Sequence, residues 1–166
     1  FLDTWLIRVD LIFLDHLLLF SPLAILFTIF ATTGVSHAFN LIDGLNGLSL
    51  CISLATSFFL MVIAWISSDA LVVLLCLVFF LSTLGLFILN FPWGKIFLGD
   101  GGSFFIGTLI SLLIIITYNQ SNQISPFYFA ILIFYLFFEI FFSVFRKILQ
   151  RKNPFYPDRM HLHMLI

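Results

Sequence analysis

The sequence has very little charge. Only 9% of its 166 residues are Asp, Glu, Lys or Arg, and 62% are apolar, against about 25% charged and 45–50% apolar in soluble domains. Eight acidic and seven basic side chains are too few for the surface of a soluble domain this large. The net charge of −1 gives no basic surface for nucleic acid, and 24 Phe residues exclude a disordered chain. The composition predicts an integral membrane protein.

Cysteine is also scarce, and its placement excludes two kinds of site. Cys51 and Cys76 both lie in apolar segments and show no CxxC spacing. We therefore predict neither a zinc site nor a redox pair, and interpret both residues as free thiols in the packed interior.

Long segments free of Asp, Glu, Lys and Arg indicate the membrane spans. A helix needs about 20 mostly apolar residues to cross the hydrocarbon layer, and the segments lack the apolar–polar alternation of membrane β-strands. We predict an all-α integral membrane protein, with residues 1–166 as one membrane domain. The five predicted transmembrane helices cover residues 17–33, 48–66, 70–89, 104–118 and 127–145.

The basic residues predict the orientation. Five of the seven follow the last predicted span, in a tail over residues 146–166: Arg146, Lys147, Arg151, Lys152 and Arg159. Because Lys and Arg are concentrated on the cytoplasmic side, this tail should be cytoplasmic, and Arg8 is an exception on the outer side. Counting back places residues 34–47 and 90–103 on the same side as the tail. Three polar segments on one side predict a single cytoplasmic active site.

Two carboxylates flanked by glycine suggest phosphate and metal chemistry. Asp43 and Asp100 each lie next to an apolar span, and glycine lets backbone N–H groups converge on an anion. A carboxylate beside a phosphate site is typical of Mg²⁺, which binds one or two carboxylates together with phosphate oxygens. The alternative is that both residues cap helices in tight turns.

A third polar segment contains Arg159, His161 and His163. Histidine titrates near neutral pH, so these residues could donate to phosphate oxygens or act as an acid or base. The alternative is a solvated tail that meets lipid headgroups.

Glu139 is the acidic residue inside a predicted span. An ionisable group at that depth indicates a functional site. It keeps open a second class of protein, a transporter or lipid-binding membrane protein without chemistry, in which Glu139 couples transport and the Asp-Gly turns bind ions.

Three segments resemble the motifs of a known family. Residues 38–48, Ala-Phe-Asn-Leu-Ile-Asp-Gly-Leu-Asn-Gly-Leu, resemble the NAxNxxDGxDGL signature of the polyprenyl-phosphate N-acetylhexosamine-1-phosphate transferases. Residues 90–103 resemble the family's N…FxGDxGS segment, and residues 154–163 resemble its PF-x-PDR-x-HLHH segment. The order and spacing match over about residues 34–165.

The resemblance implies a reaction, a cofactor and a location. It implies transfer of a sugar-1-phosphate from a UDP-N-acetylhexosamine to polyprenyl (undecaprenyl) phosphate, with Mg²⁺, or Mn²⁺ in its place, and release of UMP. It also implies a multi-pass protein in contact with lipid in the bacterial inner membrane. The His-Leu-His form of the last motif favours the branch that starts surface polysaccharides such as O-antigen over the peptidoglycan branch. A homodimer stays open.

The same resemblance implies roles for individual residues. Four would be catalytic, with Asp100 also the metal ligand: Asp43, Asp100, His161 and His163. Six would bind substrate: Asn40, Asn46, Asn90, Phe97, Ser103 and Arg159. Of these, Asn40 and Asn90 would line the diphosphate site, while Asn46 and Phe97 would border the uracil pocket, with Phe97 stacked on the base.

Four departures from the family pattern stand out. His37 replaces the first Asn of the signature, Asn46 replaces its second Asp, and Met164 replaces the last His. The adjacent Asp-Asp pair that the family uses to activate the lipid phosphate does not occur in these 166 residues. We therefore expect the chain to be the C-terminal half of a longer enzyme, and an inactive fragment is a further alternative.

Overall fold

The computed structural model describes residues 5–121 and 124–150 of the chain. This part contains seven helices and no strand. The helices are α1 Ile12–Leu18, α2 Ser21–Ile42, α3 Leu48–Ile66, α4 Ala70–Asn90, α5 Gly99–Gln120, α6 Pro126–Leu132 and α7 Phe134–Leu149.

Four of these helices are long and apolar enough to cross a membrane. They are α2, α3, α4 and α5, with 19 to 22 residues each. Helices α6 and α7 meet at an angle of 68° and add a fifth span if the bent pair is counted as one. The prediction of an all-α membrane protein is confirmed for the described residues, with four to five spans.

The helix boundaries differ from the predicted spans at three places. Helix α2 covers Ser21–Ile42 where a span over 17–33 is predicted, because Pro22 in its first turn starts a new helix and the polar residues after 33 continue it. Helix α5 covers Gly99–Gln120 and not 104–118, so its glycine-rich start is helical. The span predicted over 127–145 is broken at Ile133, and α7 continues to Leu149.

The surface of the bundle is strongly apolar. On α4, for example, Val78, Leu81 and Ile88 are each more than half exposed. In water such a face would be unstable, whereas lipid chains cover it without cost. These residues are therefore expected to contact lipid or further helices.

Several hydroxyl groups inside the bundle are bonded within their own helices. The hydroxyls of Ser53, Thr83 and Thr117 donate to carbonyl oxygens one turn earlier, at 2.7–2.8 Å. This pattern satisfies a buried polar side chain without a partner on another helix. Helices α2 and α5 are different, because Ser36 of α2 donates to the carbonyl oxygen of Phe104 on α5 at 2.9 Å.

The alternating direction of the helices gives the bundle two distinct ends. At one end α2 and α4 finish and α3 and α5 begin, with loops at residues 43–47 and 91–98. We call this the site end, because it contains the Asn, Asp and Gly residues of the sequence motifs. At the opposite end residues 5–10 meet the start of α6, where Ser125 donates to Asp10 at 2.6 Å.

Candidate active site

The centre of the site end is a contact between α2 and α5. Asn40, the third residue from the end of α2, donates its amide hydrogens to Asp100 Oδ1 at 3.2 Å and to Ser103 Oγ at 2.9 Å. Asp100 is exposed in the first turn of α5, and Ser103 is buried one turn later. Residues 60 positions apart in the sequence are therefore joined by direct hydrogen bonds, and three predicted site residues come together.

Asp43 ends α2 on the same side of the bundle. Its Oδ1 accepts a hydrogen bond from the Ser49 hydroxyl of α3 at 2.5 Å. Burial raises the pKa of Asp43 above its usual value, the Ser49 hydrogen bond opposes that shift, and the negative charge of Asp100 raises it further. The charge of Asp100 therefore reaches Asp43 and contributes to its raised pKa.

The two carboxylates are not helix caps in the usual sense. Asp43 bonds to the Ser49 hydroxyl and Asp100 to the Asn40 amide. Asp69 at the opposite end shows what capping looks like in this chain, since its side chain accepts from the backbone N–H groups of Leu71 and Val72. The hydrogen-bond partners of Asp43 and Asp100 are thus side chains, whereas those of Asp69 are backbone groups.

Asn90 holds the two loops of the site end together. It is buried, and its Oδ1 accepts from the Gly47 N–H at 2.5 Å while its Nδ2 donates to the Ile96 carbonyl at 2.6 Å. Gly47 has φ +83°, and a Cβ there would meet Phe91 at 2.8 Å, so glycine is required for this approach. Both polar atoms of the Asn90 amide bond to backbone, which makes it a support for the loops.

The side chains of Asn46 and Phe97 both lie close to Gly94. A Cβ built on Gly94 would lie 2.8 Å from Asn46 Nδ2 and 3.2 Å from Phe97 Cζ. Both side chains are exposed, Phe97 to 69%. The two residues predicted to border one pocket therefore lie on neighbouring loops, and the Phe97 ring has a free face on which a flat group could stack.

The first turn of α5 adds backbone donors to this region. Its N-cap residue, Leu98, makes no side-chain cap hydrogen bond, and the turn contains Gly99, Gly101 and Gly102. The N–H groups at a helix start attract anions such as phosphate. The site end thus combines carboxylates with a turn suited to an anion.

Arg159, His161 and His163 lie outside the described residues, and their predicted roles stay predictions. The sequence motifs do not indicate two sets of residues that support the site. Ser49 bonds to Asp43, and Ser36 and Gly107 bring α2 close to α5. Ser49 follows Asp43 by six positions, at the start of an apolar run, which is the one signal that could have indicated it.

The fold is a bundle of helices long enough to span a membrane. One end of the bundle contains two carboxylates and a helix N-terminus that can bind an anion. These features define a membrane protein with a polar site at the ends of its spans. The profile of glycosyl transferase family 4 matches residues 3–118. The chain belongs to this family, which confirms the resemblance read from its motifs.

Three relatives show how the match is distributed. A probable undecaprenyl-phosphate N-acetylglucosaminyl 1-phosphate transferase of Bacillus subtilis (strain 168) is 35% identical over 143 residues, which are 86% of this chain and 39% of the relative. An undecaprenyl-phosphate alpha-N-acetylglucosaminyl 1-phosphate transferase of Thermotoga maritima is 33% identical over 130 residues, 78% of this chain and 38% of the relative. The protein of that name in Escherichia coli (strain K12) is 29% identical over 151 residues, which are 88% of this chain and 41% of the relative.

The chain therefore spans about two fifths of the length of the curated relatives it matches. No solved structure matches the chain.

Proposed function

We propose that the protein containing this chain transfers N-acetylhexosamine-1-phosphate from a UDP-sugar to polyprenyl phosphate and releases UMP. Two things support the proposal. The relatives named above carry undecaprenyl-phosphate N-acetylglucosaminyl 1-phosphate transferase as their name. The observation that carries it in this chain is the convergence of Asn40, Asp43, Asp100 and Ser103 at one end of the bundle.

The proposed reaction is a phosphoryl transfer. An oxygen of the polyprenyl phosphate attacks the sugar-bearing phosphorus of the UDP-sugar and forms a new P–O bond. The bond from that phosphorus to the bridging oxygen breaks, and UMP leaves with the bonding electron pair. Such chemistry depends mainly on positioning and on neutralising charge.

The donor set at the site end suits Mg²⁺, or Mn²⁺ in its place. Within the described ranges no group of three or more His, Cys, Asp and Glu could hold a metal, which disfavours a metal bound by protein ligands alone. Two carboxylates at the same end of the bundle, Asp43 and Asp100, fit a cation that takes its remaining ligands from substrate phosphates. When bound, the ion would neutralise charge on the diphosphate.

Each residue then has a distinct task in the proposed site. Asn40 holds the Asp100 carboxylate in one orientation, and a second hydrogen bond from Asn40 to Ser103 fixes the amide itself. Asp43 adds a second negative charge for the cation. The first-turn N–H groups of α5 receive phosphate oxygens, and Asn46 with Phe97 borders the base.

We place this site on the cytoplasmic side of the bacterial inner membrane. The basic residues Arg146 and Lys147 lie in the last turn of α7, which runs toward the side that the positive-inside rule makes cytoplasmic. A site at the ends of spans is reached by a water-soluble nucleotide sugar from one direction and by a lipid phosphate from the bilayer. The product would start a surface polysaccharide.

The test is a transfer assay on the full-length protein in membranes. Membranes that contain it, incubated with radiolabelled UDP-N-acetylglucosamine and Mg²⁺, should give a lipid-extractable product, and added UMP should reverse the labelling. Membranes without the protein are the control. No labelled lipid with any UDP-N-acetylhexosamine would refute the proposal.

One observation favours the transporter alternative. Glu139 is fully buried in α7, on the same helix face as the buried Ser143 and Lys147. In a transporter, Glu139→Gln should abolish solute movement while no labelled lipid is formed by the wild type. In the proposed transferase, labelled lipid forms and its amount depends on Asp100.

A further inference from the structure

Helices α2 and α5 approach each other closely at Gly107. A Cβ built on Gly107 would lie 2.7 Å from the Ser36 Cα and 3.1 Å from the Phe39 Cβ. The first of these atoms is backbone, so it cannot move aside as a side-chain end could. The absence of a side chain at position 107 therefore sets the distance between the two helices.

Hydrogen bonds fix the same contact. Ser36 Oγ donates to the Phe104 carbonyl at 2.9 Å and lies 3.1 Å from Thr108 Oγ1. The Thr108 hydroxyl also donates to the Phe104 carbonyl, at 2.8 Å. Ser36 and Gly107 are buried, so these bonds are shielded from water and resist sliding of one helix along the other.

This contact lies one helical turn from the candidate active site. Asn40 follows Ser36 by four residues on α2, and Asp100 precedes Phe104 by four residues on α5. One turn of α-helix is about 5.4 Å long. A change in helix separation at Ser36 and Gly107 is therefore passed directly to Asn40 and Asp100.

We propose that Ser36 and Gly107 are positioning residues for the reaction, because they hold α2 and α5 at the separation that lets Asn40 orient Asp100. This proposal rests on the proposed function. The Asn40–Asp100 hydrogen bond is 3.2 Å long and has little room for stretching, since a separation near 3.6 Å is no longer a hydrogen bond. A methyl group at position 107 needs about 1 Å more space to reach ordinary contact distance.

The test compares two Gly→Ala variants of the full-length protein. Gly107→Ala forces the helices apart, whereas Gly34→Ala on α2 places its Cβ where no atom lies within 4 Å. We expect Gly107→Ala to lower the transfer rate at limiting Mg²⁺ about tenfold or more, the scale of a hydrogen bond to a charged group. Gly34→Ala should retain the wild-type rate and Mg²⁺ dependence.

A double-mutant cycle separates positioning from a general loss of structure. If Gly107 acts through Asn40, Gly107→Ala should add nothing to the defect of Asn40→Ala. If the two defects multiply, the positioning role is wrong. Ser36→Ala gives the same comparison without added bulk, should Gly107→Ala fail to fold, and it should also lose its effect in the Asn40→Ala background.

Binding of Mn²⁺ to the purified protein, followed by electron paramagnetic resonance, gives a readout without turnover. Mn²⁺ should bind the wild type and Gly34→Ala equally, and Gly107→Ala about tenfold more weakly. A wild type that neither binds Mn²⁺ nor forms labelled lipid would refute the proposed function. A wild type that does both, with Gly107→Ala matching Gly34→Ala, would refute the positioning role alone.

Discussion

The two ends of the bundle treat their carboxylates in opposite ways. At the opposite end Asp10 accepts from Arg8 Nε and from the Ser125 hydroxyl, and these bonds lower its pKa. At the site end Asp43 has a raised pKa, because burial and the charge of Asp100 outweigh one hydroxyl donor. At the opposite end the negative charge of Asp10 is neutralised by Arg8. At the site end the negative charge of Asp43 is available to a bound cation.

This difference separates carboxylates that hold the fold from those suited to bind a ligand. Asp10 ties residues 5–10 to the start of α6, and Asp69 caps α4. Within the described part of the chain, Asp43 and Asp100 accept hydrogen bonds from neutral side chains, without the guanidinium partner that Asp10 has, and they lie beside glycine-rich backbone. Substitutions of the carboxylates at the two ends should therefore affect stability and activity in opposite proportions.

The largest effect is expected for Asp100→Asn. The variant removes a charge at nearly constant shape, and loss of a transition-state charge contact costs about 3 kcal/mol or more, roughly a hundredfold in rate. The full-length variant should still insert and fold, and excess Mg²⁺ should restore only part of the rate in the labelled-lipid assay. Asp69→Asn, at the opposite end, should transfer normally. Full activity of Asp100→Asn at low Mg²⁺ would contradict the metal role.

Asn90→Ala should mainly cost stability. It leaves the buried Gly47 N–H and the Ile96 carbonyl without their side-chain partner, and an unsatisfied buried group costs about 1–3 kcal/mol. Thermal unfolding in detergent should show a lower Tm than wild type. Asn46→Ala, an exposed position, is the matched control and should stay within about 0.5 kcal/mol. Equal Tm values for the two variants would show that Asn90 does not join the loops.

Asp43→Asn should raise Tm slightly at pH 7 in metal-free buffer. The raised pKa of Asp43 means that the folded state favours its protonated form, so its carboxylate destabilises the fold once the pH exceeds that pKa. A neutral amide removes this penalty. The difference from wild type should shrink as the pH falls through the raised pKa and vanish below the ordinary value of 3.8. A lower Tm for Asp43→Asn at pH 7 would contradict this account.

Asp10→Asn should have the smallest effect and the opposite sign. The lowered pKa of Asp10 means that its carboxylate stabilises the fold above the ordinary value of 3.8, and that this contribution is lost as the pH falls through the lowered pKa. Wild-type Tm should exceed that of the variant slightly at pH 7, and the two should converge in acid. Labelled-lipid formation should be unchanged at pH 7. A fall in transfer would link this end to the site.

Much of the fold could be predicted, because charge-free segments of membrane length leave few alternatives. The span at 48–66 coincides with α3. The start of α2 was misplaced because an apolar run from 17 conceals the break before Pro22. The bend at Ile133 has no Gly or Pro at the break to indicate it, so it depends on packing alone.

The candidate site could be predicted in part. The motifs placed Asn40, Asp43 and Asp100 together, and the structure joins them at one end. The motifs could not show that Asn90 bonds to two loops, since the same amide suits a ligand or a backbone. The Ser36–Gly107 contact lies between residues 71 positions apart, and neither residue type indicates a partner at that distance.

The sequence separation within the site has a consequence for how the protein is made. During synthesis Asn40 is made before its hydrogen-bond partners Asp100 and Ser103, which follow 60 and 63 residues later. At about 5–20 residues per second, synthesis needs several seconds to cover that interval. During this time α2, α3 and α4 can enter the membrane with Asp43 beside Ser49 but without the repelling charge of Asp100. Helices α2, α3 and α4 are therefore made before Asp100, and the carboxylates of Asp43 and Asp100 come together only when α5, the last of the four long helices, joins the bundle.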